Sequence, residues 1–129
     1  TLWVDVRGVN NESIARTLEA IKAEANAVAE NDGVAIEFEM LTADKPVALS
    51  EELAKKAEAI CEAEGIDYLH MNSGAGHDAM HMAKLAPTTM IFIPCKEGIS
   101  HNPAEFAKLE DICRAVEVLA KLLESEANE

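Results

Sequence analysis

The chain has 129 residues and a mass of 13.9 kDa, which suits one domain with a single core and excludes two full cores. A hydrophobic content of 49% argues against disorder, and no apolar run reaches the roughly 20 residues that a membrane-spanning helix needs. The formal net charge of -13 repels phosphate backbones and anionic lipids, so we expect no nucleic-acid partner and no membrane partner.

The three cysteines, Cys61, Cys95 and Cys113, are an odd number and form no CxxC pair. This usage is typical of a reducing compartment rather than a disulfide framework, so we expect a cytoplasmic protein. The chain begins at Thr1, without an initiator methionine and inside a predicted strand. We therefore expect a fragment or a processed product.

The first 42 residues predict a β-α-β unit. Residues 2–6 and 34–40 alternate apolar side chains with others, the pattern of strands that have one face in water. Asn11 is the predicted N-cap of a long helix that ends before Asn31-Asp32-Gly33. Its apolar stripe consists of Ile14, Leu18, Ile21, Ala25 and Val28. Residues 43–49, which include Lys45-Pro46, are the predicted connector.

Residues 50–129 predict a different, layered arrangement. Ser50 is the expected cap of a helix that runs to about Glu64 and stops at Gly65. Residues 68–71 predict a short strand, residues 77–85 a helix, and residues 88–93 (TTMIFI) a strand covered on both faces. A last helix carries Leu109, Ile112, Val116, Leu119 and Leu123 on one face. Together these elements predict a parallel or mixed α/β structure.

The first candidate site is the turn in SGAGHDAMHM. Glycines 74 and 76 let backbone N–H groups come close to an anionic ligand, with His77 and Asp78 at the start of the next helix. An ordinary structural turn is the alternative, and it is the more common one for this pattern. His77 and His81 have the i, i+4 spacing of metal ligands, but the HExxH pattern is absent, so we expect a packed or solvated His81.

The second candidate site is the loop IPCKEGISHNPAEF, which follows the predicted buried strand. Ligands of α/β sheets bind at the carboxyl ends of strands, which places His101 favourably. The alternative is that Ser100, Asn102 and Pro103 merely begin the last helix. On spacing alone, both interpretations stay open.

Arg7 is the only strongly basic residue among the first fifteen. In so acidic a chain it could bind a carboxylate with both arms of its guanidinium group. It could equally form an ordinary salt bridge with Asp5 or Glu12, and the local sequence by itself favours the salt bridge.

Three stretches together, VDVRG, SGAGHDA and MIFIPCKEGISHNPAEF, resemble one family in their order and spacing. They are similar to the C-terminal half of the metal-dependent amidohydrolases of the hydantoinase/carbamoylase type, which include allantoate amidohydrolase, N-carbamoyl-L-amino-acid hydrolase and β-ureidopropionase. These enzymes belong to the wider group of two-metal aminoacylase-like peptidases. The resemblance covers essentially the whole chain, and its last two motifs are specific.

The resemblance implies an α/β fold made of parts of two domains. Residues 1–42 would be the β-α-β remnant of a small dimerisation domain, and residues 50–129 the C-terminal part of the catalytic domain. A homodimer through the small domain is implied as well. The missing N-terminal half would hold the glutamate general base and most of the ligands for two divalent metal ions, zinc or manganese.

The resemblance also implies roles for residues within the matching motifs. His101 corresponds to a metal ligand, and Arg7 to the arginine that holds the substrate carboxylate. The other implied residues are Gly76 and His77, beside the substrate, and Asp78 and Glu105, which orient the metal site without touching the ion. No catalytic base is found in this chain. Gly8 follows Arg7 where the family commonly has histidine or serine, which leaves the substrate class open.

The implied reaction of the complete enzyme is hydrolysis of a carbamoyl or ureido C–N bond in an N-carbamoyl amino acid or an allantoate-like substrate, at two divalent metal ions. Two alternatives remain open. One is an aminoacylase or peptidase on the same scaffold. The other is a folded fragment or association module with no activity of its own.

Overall fold

The computed structural model describes residues 1–128, and the secondary structure in this part of the chain is helical. The helices are α1 (Asn11–Asp32), α2 (Glu51–Glu64), α3 (Ala79–Met82) and α4 (Leu109–Ala127), with a 3-10 turn at Lys96–Gly98. None of the helices in residues 1–128 combines the length and the apolar character that crossing a bilayer requires.

Local capping interactions set the ends of α1. The side chain of Asn10, not Asn11 as predicted, accepts the backbone N–H of Ser13 at 3.0 Å, so the cap lies one residue earlier. Gly33 ends the helix with a φ of 67°, a left-handed conformation that glycine adopts without steric cost. The helix therefore runs through Asn31-Asp32 before it stops.

Helix α2 has both of its predicted ends. The Ser50 hydroxyl accepts the backbone N–H of Leu53 at 3.2 Å. At the other end, Gly65 has a φ of 64° and donates its N–H to the carbonyls of Cys61 and Glu62. The predictions of Ser50 as N-cap and Gly65 as stop are confirmed.

The core of the described chain lies where α2 packs against α4. Among residues 1–128, the buried hydrophobic side chains are those of Cys61, Val118 and Leu122. This burial raises the pKa of the Cys61 thiol. Two ion pairs, Lys56–Glu126 at 2.7 Å and Lys121–Glu64 at 2.5 Å, connect the same two helices.

The predicted strands are not formed within residues 1–128. The segments 2–6, 34–40, 68–71 and 88–93 lie outside the helices, and none of them takes part in a β-ladder. A strand exists only when a neighbouring strand accepts and donates its backbone hydrogen bonds. Apolar alternation predicts which segments can pair, but it supplies no partner, so the α/β class is not confirmed by this chain.

The chain divides into two compact units. The first consists of Thr1–Ala48 together with Asn72–Gly76, and the second consists of Leu49–Met71 together with the residues from His77 onward. Helix α1 belongs to the first unit, and helices α2, α3 and α4 belong to the second. The assignment of residues 1–42, 43–49 and 50–129 to parts of two enzyme domains stays a prediction.

Candidate functional site

The loop before α4 is a separate structural feature and not the start of that helix. Helix α4 begins at Leu109 with Lys108 as its N-cap residue, so the alternative in which Ser100, Asn102 and Pro103 begin the last helix is wrong. The reason is that a backbone hydrogen bond of 2.8 Å, from the Lys96 N–H to the Phe106 carbonyl, closes the chain into a loop. His101 lies within this closed loop.

His101 has an unusual backbone conformation, with a φ of 55°. Positive φ is uncommon for a residue other than glycine and is found at turns and functional sites. The Glu105 carboxylate accepts the backbone N–H of His101 at 2.8 Å. Asn102 supports the turn between them, because its side chain accepts the Ala104 N–H at 2.9 Å and its carbonyl accepts the Glu105 N–H at 2.9 Å.

In the first unit, Arg7 has two acceptors. Its Nε donates to Asp5 Oδ2 at 2.9 Å and one terminal nitrogen lies 2.7 Å from the same oxygen, so the ion pair with Asp5 is present. The hydrogen bonds and the charge of this pair lower the pKa of Asp5 and raise that of Arg7. The other terminal nitrogen donates to the Gly74 carbonyl at 3.1 Å.

The hydrogen bond to Gly74 connects two of the three motifs. Arg7 and Gly74 are 67 positions apart in the sequence, and Gly76 belongs to the same unit as both. The turn itself is shaped by Ser73, whose hydroxyl accepts the Ala75 N–H at 3.2 Å. The structure therefore brings the predicted carboxylate-binding arginine to the backbone of the predicted glycine turn.

In the second unit, His77 packs against Phe92 in an edge-to-face contact, with ring centroids 5.6 Å apart. Asp78 is the N-cap residue of α3, and its side chain forms no capping hydrogen bond. The helix that follows is Ala79–Met82, much shorter than the predicted 77–85.

A metal ion needs several ligands at once, and residues 1–128 contain no group of three or more histidine, cysteine, aspartate or glutamate side chains that could hold one. His101 nevertheless suits the role of a single ligand. Its side chain is exposed, and the imidazole forms no hydrogen bond within residues 1–128. A metal ion bound by His101 would therefore need further ligands from other residues.

Two contacts of the candidate residues were missed by the sequence analysis, namely the Gly74 carbonyl beside Arg7 and the Phe92 ring beside His77. Phe92 belongs to the TTMIFI run and was predicted only as part of a strand. No local pattern connects residues so far apart in the chain. The Asp5 contact, by contrast, lies two positions from Arg7 and could be predicted from the sequence.

Comparison with known proteins places these motifs in context. The profile of Peptidase family M20/M25/M40 matches residues 5–125. An uncharacterized hydrolase of Haemophilus influenzae is 41% identical over 126 residues, or 98% of this chain and 31% of that protein. The allantoate amidohydrolase of Escherichia coli is 34% identical over 123 residues, or 95% of this chain and 30% of that protein.

A solved structure is similar as well. The crystal structure of an amidase of the hydantoinase/carbamoylase family from Burkholderia multivorans matches with a TM-score of 0.91 and 33% identity, over 95% of this chain and 30% of that chain. This chain therefore spans about a third of the length of the relatives it matches. The resemblance predicted from the three motifs is confirmed.

Proposed function

Because this chain belongs to Peptidase family M20/M25/M40, we propose that it is part of a metal-dependent amidohydrolase that cleaves the carbamoyl or ureido C–N bond of a ureido acid. The names of two relatives, an allantoate amidohydrolase and a hydantoinase/carbamoylase amidase, support this substrate class. The observation that carries the proposal is the 3.1 Å hydrogen bond between Arg7 and Gly74, which joins the carboxylate-binding residue to the glycine turn.

The accessible surface supports the inference that further polypeptide completes the fold. The chain exposes 10471 Å². Two separate compact units that share its mass would expose only about 8,000 Å². The excess of roughly 2,500 Å² is the size of a large protein–protein interface. We infer that other residues of the same protein, the remainder of the length found in the relatives, cover this surface.

Helix α4 carries part of the surface that we infer to be covered by other residues of the protein. Its buried face, with Val118 and Leu122, packs on α2. A second apolar stripe lies about 120° around the helix axis and is exposed. Its members are Leu109, Ile112, Val116, Leu119 and Leu123. A helix that is apolar on two of its three faces is typical of a position inside a larger core.

Adjacent leucines of α4 test this inference. In the isolated chain, measured as a monomer at concentrations too low for self-association, Leu122→Ala is expected to lower the free energy of unfolding by about 2–4 kcal/mol, because Leu122 is 5% exposed. Leu123→Ala should change it by less than about 0.5 kcal/mol, because Leu123 is 61% exposed. In the complete polypeptide both substitutions should be costly. Urea unfolding measures the change in unfolding free energy for both variants in both proteins. If Leu123→Ala is also neutral in the complete polypeptide, the inference is contradicted.

We propose an α/β fold for the complete protein, in which the four strand-like segments pair with strands contributed by other residues. The TM-score of 0.91 to the amidase structure supports this arrangement. Residues 1–42 would belong to a small domain that forms a homodimer, and residues 50–129 to the catalytic domain.

The cysteine usage supports a cytoplasmic location, since Cys61, Cys95 and Cys113 are all free thiols.

The proposed roles follow from the chemistry of each side chain. Two divalent cations, zinc or manganese, would supply Lewis-acid polarisation of the carbonyl and a water of lowered pKa. His101 offers an imidazole nitrogen to one cation. The guanidinium of Arg7 binds the substrate carboxylate through N–H groups that Asp5 and Gly74 leave available. Gly76 contacts the substrate through its backbone and His77 flanks it, while Asp78 and Glu105 hold ligands in position.

The same scaffold would also serve an aminoacylase or a peptidase, and the leaving group distinguishes these reactions. Cleavage of a ureido acid yields ammonia after the carbamate decomposes. An N-acetyl amino acid yields acetate, and a dipeptide yields two amino acids.

We expect the complete polypeptide, loaded with zinc or manganese, to release ammonia from an N-carbamoyl amino acid or allantoate, and to turn over the N-acetyl analogue at least about tenfold more slowly. The isolated 129-residue chain should release no ammonia and should self-associate through its exposed apolar surface. Ammonia assays and sedimentation of both proteins measure these outcomes. Faster turnover of the N-acetyl compound or of a dipeptide would favour the alternative enzymes. A monomeric 129-residue chain that releases ammonia would contradict the partial-site proposal.

A further inference from the structure

The guanidinium group of Arg7 is held on two sides, although the side chain is 62% exposed. Asp5 Oδ2 accepts the Nε–H at 2.9 Å and lies 2.7 Å from one terminal nitrogen, so a single carboxylate oxygen holds one edge of the plane. The other terminal nitrogen donates to the Gly74 carbonyl at 3.1 Å. A planar group held at two places does not rotate freely, so the guanidinium is oriented before a ligand arrives.

These contacts leave some of the donors of Arg7 unused. A guanidinium group has five N–H groups. Asp5 takes the Nε–H and one N–H of a terminal nitrogen, and Gly74 takes one N–H of the other. One N–H therefore remains on each terminal nitrogen. A carboxylate can bind two such N–H groups with its two oxygens, so Asp5 and a substrate carboxylate can contact Arg7 at the same time.

We propose that Asp5 is a positioning residue, whose carboxylate fixes the plane of the Arg7 guanidinium and thereby the direction from which the substrate carboxylate is bound. This inference rests on the proposed function in naming a substrate carboxylate as what Arg7 binds. The hydrogen bond from Arg7 lowers the pKa of Asp5, so Asp5 stays an ionised acceptor at neutral pH. Without Asp5, the substrate itself would have to immobilise the long arginine side chain, which weakens binding.

The same geometry has an alternative interpretation, in which the Asp5 carboxylate competes with the substrate for Arg7. The two roles predict opposite changes in KM. Loss of a positioning residue raises the KM for the ureido acid, whereas loss of an internal competitor lowers it. The two unused N–H groups of Arg7 favour the positioning role, because the substrate does not need to displace Asp5.

The test compares Asp5→Ala and Asp5→Asn with Asp44→Ala, all made in the complete polypeptide. Asparagine keeps an oxygen acceptor at the same reach but carries no charge. Asp44 is an exposed carboxylate of the same compact unit and lies outside the three motifs, so its variant matches the change in net charge. Unfolding temperatures should change little, because the Asp5 side chain is 65% exposed.

Steady-state kinetics provide the first readout. Asp5→Ala should raise the KM for the ureido acid by about 3- to 10-fold, the order of magnitude expected when one long side chain must be immobilised on binding. The value of kcat should stay within about twofold of the parent, because the substrate carboxylate is not part of the C–N bond that breaks. Asp5→Asn should recover most of the KM, and Asp44→Ala should behave like the parent.

The Nε–H of Arg7 provides the second readout, in proton–nitrogen correlation spectra of the substrate-free protein. Its signal is identified by its loss in Arg7→Lys. Exchange of this proton with water should become about tenfold faster or more in Asp5→Ala, because the hydrogen bond that protects it is gone. In Asp5→Asn and Asp44→Ala the exchange rate should stay close to that of the parent.

Four results would overturn the proposal. In Asp5→Ala these are a KM that stays the same or falls, and an unchanged Nε–H exchange rate. The others are a KM in Asp5→Asn as high as in Asp5→Ala, and an equal rise of KM in Asp44→Ala. Failure of the proposed function has a different signature, because the parent enzyme would then release no ammonia from a ureido acid. The Nε–H exchange rate would still show whether Asp5 holds Arg7.

Discussion

Replacement of His101 by alanine in the complete polypeptide is expected to remove at least one metal ion and to lower turnover of a ureido acid by more than a hundredfold. This lower limit on the loss follows from groups that only orient a metal ligand, because removing one of them already lowers metal affinity or activity by about 10- to 100-fold. Removing the ligand itself should cost more. The fold should survive, because the His101 side chain is exposed. Elemental analysis of the purified variant and an ammonia-release assay measure the two effects.

His70→Ala is the matched control for this experiment. His70 is also exposed, and it pairs with Glu58 at 2.5 Å outside the three motifs. Its loss should leave metal content and turnover unchanged, because an exposed contact between two side chains contributes little. A His101→Ala enzyme that keeps both full metal occupancy and the parental rate would show that His101 is not a ligand.

Replacement of Arg7 by lysine is expected to raise the KM for the ureido acid by about tenfold or more while changing stability little. Lysine keeps the charge but lacks the planar fork that binds a carboxylate through two parallel hydrogen bonds. The cost to stability should be small because the Arg7 side chain is 62% exposed and its ion pair with Asp5 lies in water. Steady-state kinetics and thermal unfolding of the same preparation separate the two effects.

Arg16→Lys is the control, since Arg16 is an exposed arginine on α1, outside the motifs. It should alter neither KM nor kcat. A second arm uses the parent enzyme with a substrate analogue that lacks the carboxylate. If kcat/KM for this analogue equals that for the ureido acid, Arg7 does not bind the carboxylate.

In the motifs of the candidate site, the sequence predicts which residues belong together but not which of their atoms make contact. The resemblance carried by the motif around His101 implied that His101 and Glu105 belong to one site. The atoms involved were decided only by the closed loop, which directs the Glu105 carboxylate to the His101 backbone N–H. Arg7 is similar, because its contact with Asp5 is local and predictable, and its contact with Gly74 is not.

The sequence by itself determined the ends of α2, because caps are interactions between residues three or four positions apart. It also determined the family, through three motifs whose residue types are needed for chemistry. Only the tertiary structure decided that the alternating segments form no ladder within residues 1–128 and that Arg7 contacts the Gly74 carbonyl. Both outcomes depend on partners distant in sequence, and such partners are brought together by the folding of the whole chain and not by local preference.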